Sequence, residues 1–208
     1  MPIGDATLRL GIGDITVTVE GRAKAPRFIW MAHRAAEFGE RRSDRARIAR
    51  ALSIRPDDIR SDLPIQAVST GNPFLFIPLR SFDALARCVS SESALREMFR
   101  GAQRMLPVHM FVCGQSLGSG VRARMFAPHT DGIVEDPATG SAAAPLGSYL
   151  AAHGAADAAL RVRFEVTQGV EMERRSEITV ELVRSPHGEP SIRIGGQCAI
   201  VAKGEMRI

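Results

Sequence analysis

Glu135 and Asp136 stand side by side, followed by Pro137, Thr139, Gly140 and Ser141, and then by an Ala-rich apolar run through Leu150 and Ala151. Two carboxylates in contact with each other can be tuned for proton transfer. Pro137 suits the approach to a helix, and Gly140 leaves room for another molecule to come close to the backbone. Ala142, Ala143, Ala144, Leu146, Tyr149, Leu150 and Ala151 lie nearly all round the helix that should follow. Such a helix is expected to be buried rather than amphipathic. Its first N–H groups have no partner inside the helix and carry the positive end of its dipole. A substrate carboxylate could accept from them, and so could Asp136 or Ser141 acting as a simple cap. Pro145 removes one backbone bond, so an irregular first turn, or a regular helix starting after Ser141, is expected.

Other reactive residues offer less. The five histidines show no metal-binding spacing, and His129, beside the acidic stretch, reads as an exposed loop histidine. Cys88, Cys113 and Cys198 are far apart and odd in number, which argues against a disulfide framework or a zinc site. They fit a reducing cytoplasm. Gly11-x-Gly13 and Gly118-x-Gly120 lack the strand-to-helix setting of a phosphate loop. Ser141 sits in Thr-Gly-Ser-Ala, not in the setting of a hydrolase nucleophile.

The elements that must position these residues are legible in outline. The chain has 208 residues, 45% hydrophobic and 24% charged, with net charge +4. That suffices for a real core. The basic residues are scattered without aromatic interleaving, so nucleic-acid binding is not expected. Arg41, Arg42, Arg45, Arg47 and Arg50, among Glu40 and Asp44, read as one solvated helix face. No apolar run approaches membrane-spanning length and no signal peptide is visible at the start, so a cytoplasmic protein is expected. Alternation in Thr7–Leu10 and Ile15–Glu20 predicts a hairpin, and Arg27–Ala32 a third strand. Short helices are expected over 43–53, 81–87 and 91–100. Strands are expected in Ile65–Leu79, Val108–Gly114, Gly120–Pro128 and a four-strand ending from Leu160 to Ile208, with turns at Gly169, His187-Gly188 and Gly195-Gly196. In Val121–Ala127 the apolar residues share one face and Arg122 and Arg124 the other. About nine or ten strands in meanders, with four helices, argue for an α+β class with a mixed or antiparallel sheet.

Four stretches together resemble a known family. "RARMFAPHTDGIVEDPATGSAAAPLGSYLAAHG", "IQAVSTGNPFLFIPL" and "VTQGVEMERRSEITVEL" are similar to motifs of PhzF-like phenazine-biosynthesis proteins, with Glu173 and Arg175 standing where that family has Gly and Pro, and "IRIGGQCAIVAKGEMRI" resembles the family's closing strands. The resemblance implies a diaminopimelate-epimerase-like α+β fold: a curved mixed or antiparallel sheet wrapped around a central helix, one complete half plus a remnant of the other. It divides the chain into a remnant over 1–24, an epimerase-like domain over 25–190 and closing strands over 191–208. It also implies an isomerase or epimerase that shifts a proton on a small carboxylate substrate without any cofactor or metal. Asp136 would be catalytic, and Thr139, Gly140 and Ser141 would bind substrate. The family's N-terminal acidic proton shuttle and Gly-His-Pro motif have no counterpart here, so whether this chain alone is an enzyme stays open. The alternative is a truncated, catalytically impaired relative that binds small acids or a protein. Either form is expected to recruit another copy or a separate N-terminal fragment, with no nucleic acid and no membrane as partner.

Overall fold

The computed structural model describes residues 2–11, 13–22, 25–114, 120–127, 133–154, 161–185 and 188–205. His129, the loop 115–119 and residue 187 of the expected His187-Gly188 turn lie outside them. The N-terminal hairpin forms as β1 (Pro2–Leu10) and β2 (Gly13–Arg22), followed by β3 (Ala25–His33) and β4 (Glu37–Arg42). Helix α1 (Arg45–Ala51) leads to the pair β5 (Ile65–Ser69) and β6 (Pro73–Pro78). Helices α2 (Phe82–Arg87) and α3 (Glu92–Met98) precede β7 (Val108–Cys113) and β8 (Val121–Ala127). A short β9 (Ile133–Asp136), helix α4 (Gly140–Ala152), and strands β10 (Arg161–Gln168), β11 (Ser176–Ser185) and β12 (Gly188–Gln197) complete the order. Asp44, Ser81 and Ser91 cap α1, α2 and α3 by accepting from the Arg47, Ala84 and Ala94 N–H groups, as short helices require.

The strands make one mixed sheet in the order β1-β2-β3-β12-β11-β10-β8-β7-β6-β5-β4, with β9 added beside β8. The pairs β6–β7 and β8–β10 are parallel. A parallel pair needs a crossover. The first crossover carries α2 and α3, the second α4, and they lie on opposite faces. Val68, Phe74, Phe76, Phe111, Ala123 and Met125 pack with α4. Ile65, Leu75, Ile77, Val108, Met110 and Phe126 pack with α1, α2 and α3. Both faces of the central strands are therefore buried, which explains why β7 is buried along its whole length and apolar at every position but His109.

Helix α4 touches β5 and β6 on one side and β11 and β12 on the other. Those strands are separated in the sheet order, so the sheet curls around the helix. This is the expected α+β architecture. The helix is buried from Ala142 to Gly147 and again at Tyr149 and Leu150. At its far end the Tyr149 hydroxyl donates to the Pro64 carbonyl, and His153 Nε2 lies 2.9 Å from Gln66 Oε1.

The structure corrects several expectations. Arg41 and Arg42 belong to the edge strand β4, and only Arg45, Arg47 and Arg50 lie on α1. Helix α4 starts at Gly140 and runs through Pro145. The ring of Pro145 is buried, so packing on both sides holds the turn that one missing hydrogen bond would loosen. Cys198–Glu205 forms no strand, and Gly195-Gly196 is no turn but part of β12. The physical reason is close approach. A Cβ at Gly195 would fall 2.3 Å from Phe28 Cε1 and 2.8 Å from the Ile29 carbonyl oxygen, whereas one at Gly196 meets nothing nearer than 3.9 Å. Gly195→Ala should therefore destabilise the protein by about 1–3 kcal/mol, and Gly196→Ala should be nearly neutral. Denaturant midpoints of the two variants check this. Equal midpoints would contradict it.

Candidate functional site

The carboxylate pair does not exist as a pair. Glu135 and Asp136 sit on β9, not in a loop, because β9 adds to β8 with Phe126 opposite Glu135 and Met125 opposite Asp136. Neighbours on a strand point to opposite faces. Glu135 goes down to Arg124, whose Nε and a terminal nitrogen reach its two oxygens at 2.8 and 2.7 Å. Arg124 is 7% exposed, and another of its nitrogens donates to the Leu85, Ala86 and Cys88 carbonyls at the end of α2. Glu135 is thus the counter-ion of a buried guanidinium and not a proton carrier. Arg122, on the same strand, pairs at 2.6 Å with Glu171.

Asp136 turns towards the start of α4. Its Oδ2 accepts from the Thr139 hydroxyl at 2.8 Å and its Oδ1 from the Ala138 N–H at 3.3 Å. Thr139 is the N-cap residue, but its side chain makes no cap bond. Neither Asp136 nor Ser141 serves as the cap. The Thr139 carbonyl takes the Ala142 and Ala143 N–H groups, and the Thr139 N–H donates to Gln168 Oε1. Gln168, at the end of β10 and fully buried, donates to the Thr139 hydroxyl at 2.8 Å and to the Asp136 carbonyl. One amide side chain therefore clamps the loop at three points. Behind it Gly169 adopts φ +76°, and a Cβ there would lie 2.9 Å from the Pro137 carbonyl oxygen. Glu173, where the resembled family has Gly, holds φ +56°, the left-handed region that favours glycine.

His109 lies beneath this clamp on β7, completely buried, with Phe76 at 5.3 Å between ring centroids. Gln168 is close enough to influence its imidazole, yet neither ring nitrogen makes a hydrogen bond of acceptable geometry. Burial pushes its pKa down to about 4, so it is neutral at ordinary pH.

Ser141 is exposed and borders a cavity of about 360 Å³. Leu10, Ile15 and Met31 supply apolar walls, and His33, Thr70 and Asn72 supply polar ones. His33 Nδ1 lies 3.2 Å from Thr70 Oγ1, and desolvation lowers the His33 pKa. The α4 N-terminus, a hydroxyl, an amide and a neutral imidazole round a partly apolar hollow suit a small carboxylate. Asp136 and Thr139 are tied to each other, Gly140 and Ser141 follow directly, and Ser141 alone of the four borders this cavity. The sequence reading missed His33, Thr70 and Asn72. Nothing in their spacing marks them, since β3 and the β5–β6 turn meet the helix only in the fold. Among the described residues no group of three His, Cys, Asp or Glu could hold a metal ion, and no helix is long and apolar enough to cross a membrane.

Comparison with known proteins agrees with this fold. A family model described as phenazine biosynthesis-like protein matches residues 5–204. An uncharacterized isomerase of Clostridium acetobutylicum is 32% identical over 163 residues, 77% of this chain and 53% of that protein. A Pseudomonas fluorescens protein named trans-2,3-dihydro-3-hydroxyanthranilate isomerase is 37% identical over 131 residues, 63% of this chain and 42% of that protein. A crystal structure of a Bacillus anthracis phenazine biosynthesis protein of the PhzF family superposes with TM-score 0.79 at 21% identity, covering 98% of this chain and 69% of that one. The chain spans about half the length of the curated relatives it matches.

The buried ion pair and the buried imidazole make separate predictions. Arg124→Met leaves Glu135 charged and unpaired, and should cost about 3–5 kcal/mol. Adding Glu135→Leu should recover most of that, and a double variant as unstable as the single one would contradict the assignment. For His109 the folded pKa lies below the ordinary 6.5. Above pH 6.5 neither state binds the proton. As pH falls towards 4 the unfolded chain takes it up and the folded one does not. Stability should therefore drop over that window by about 3 kcal/mol, and His109→Leu should remove that part of the acid sensitivity. A wild-type-minus-variant difference that is flat from pH 7 to pH 4 would contradict it.

Proposed function

The chain belongs to the phenazine biosynthesis-like family, and we propose that it carries half of an isomerase or epimerase site that shifts a proton on a small carboxylate substrate without a cofactor. The observation that carries this reading is the cavity at the start of α4, where Ser141 stands beside His33, Thr70 and Asn72. The substrate carboxylate sits against the Gly140 and Ser141 N–H groups, which neither Thr139 nor Gln168 takes up. Asp136, held by Thr139 and Ala138, retains free lone pairs for a substrate proton. Names of relatives point to trans-2,3-dihydro-3-hydroxyanthranilate as the first compound to test.

The remainder of the site comes from a complementing N-terminal fragment or a second copy of the chain. Two observations support this. The matched stretch is only about half of each relative, and the terminal hairpin leaves Leu8 and Leu10 exposed, apolar surface that a neighbour would cover. The half-length span also favours a second reading, a module that binds small acids without turning them over.

Incubation of the native protein with that compound in D2O, followed by mass spectrometry, separates the readings. Catalysis predicts deuterium incorporation that falls by about 10²-fold or more in Asp136→Ala. Undiminished exchange in the variant would exclude Asp136 as a proton carrier. Calorimetric binding with no exchange by the wild type would favour the binding module.

A further inference from the structure

We propose that His33 is the proton-carrying group of the α4 cavity, with Thr70 as the residue that positions its ring. This deepens the isomerase reading and rests on it. His33 ends β3, paired with Ile192 of β12, and so stands where the N-terminal strands join the part of the sheet that curls around α4. Its ring borders the same cavity as Ser141. Thr70, 6% exposed, lies in the turn between β5 and β6 and faces Nδ1 at 3.2 Å. In the tautomer that donates Nδ1–H to the threonine hydroxyl, the lone pair is on Nε2. Nε2 is buried and has no hydrogen-bond partner among the described residues. A polar nitrogen in that condition is costly without a ligand and suited to one. Among the described residues no other imidazole, carboxylate or amine lines the cavity.

The chemistry balances without a further reactant. Neutral His33 removes a proton from a carbon conjugated to the substrate carboxylate. The C–H bond breaks, its electron pair moves into the conjugated system towards the carboxylate at Ser141, and an N–H bond forms on the imidazole. Return of that proton to a different carbon restores neutral His33 and completes an isomerisation with no net oxidation. Burial, which disfavours the protonated form of His33, suits it to act as the base.

The test uses 3-hydroxyanthranilate as a stable probe and nitrogen-detected NMR of the labelled imidazoles in the native protein. Probe binding should move the His33 ring nitrogens most. Ser141→Ala should weaken binding while leaving the unliganded His33 signals in place. With a turned-over substrate, His33→Asn should lose deuterium exchange by about 10²-fold or more with probe affinity within about threefold. Thr70→Val should lower kcat with little change in KM, and Thr70→Ser should restore it. Probe binding that leaves His33 unmoved, or full exchange by His33→Asn, would overturn the role of His33 while the isomerase reading stood. Neither binding nor exchange by the wild type would overturn both.

Discussion

An apolar helix buried along its length cannot send the N–H groups of its first turn to water. Each orphaned donor in a dry interior costs about as much as a lost hydrogen bond. Helix α4 meets this difficulty at Ala142 and Ala143, buried where the sheet closes around it from both sides, while Gly140 and Ser141 stay more open. The chain answers it in part. Thr139 offers its carbonyl to two of the N–H groups, and Gln168 holds Thr139 in place from a neighbouring strand. The rest of the first turn opens on a small cavity. On the proposed function a carboxylate fills what protein acceptors do not, and the packing constraint of the fold supplies its binding site.

Holding that site still is the work of the layers beneath it. Strand β9 is short, and its pairing with β8 covers only a few residues. The ion pair of Glu135 with Arg124 pins it to the central sheet, and Arg124 in turn gathers the carbonyls that end α2. The Arg122–Glu171 pair ties the turn after β10 to the same strand. The segment from β9 to the start of α4 is therefore held from the β8 side by charge and from the β10 side by Gln168 and Gly169. Both helical crossovers contribute, one through its carbonyls and one through its N-terminus.

Much of this was legible in the sequence, and the failures have physical reasons. The buried character of α4 follows from apolar residues all round it, and the strand pairs from alternation and turn residues. The adjacent acids looked like a proton-transfer pair because side-by-side positions are close in sequence. A strand sends them to opposite faces, and no local signal announces a four-residue strand. Gly195-Gly196 looked like a turn because glycine serves turns, whereas here it clears a path for Phe28 and Trp30. Pro145 looked like a boundary, but packing overrode it. His33 and Thr70 were invisible as partners because 37 positions separate them in the chain and only the sheet brings them together.

The account stands or falls on whether the α4 N-terminus takes a carboxylate. The most direct measurement is the backbone amide NMR spectrum of the protein titrated with 3-hydroxyanthranilate. The largest saturable shifts should fall on Gly140, Ser141 and the Thr70–Asn72 turn. Saturable shifts confined to other surfaces would contradict the assignment of the site, and so would a spectrum that does not change.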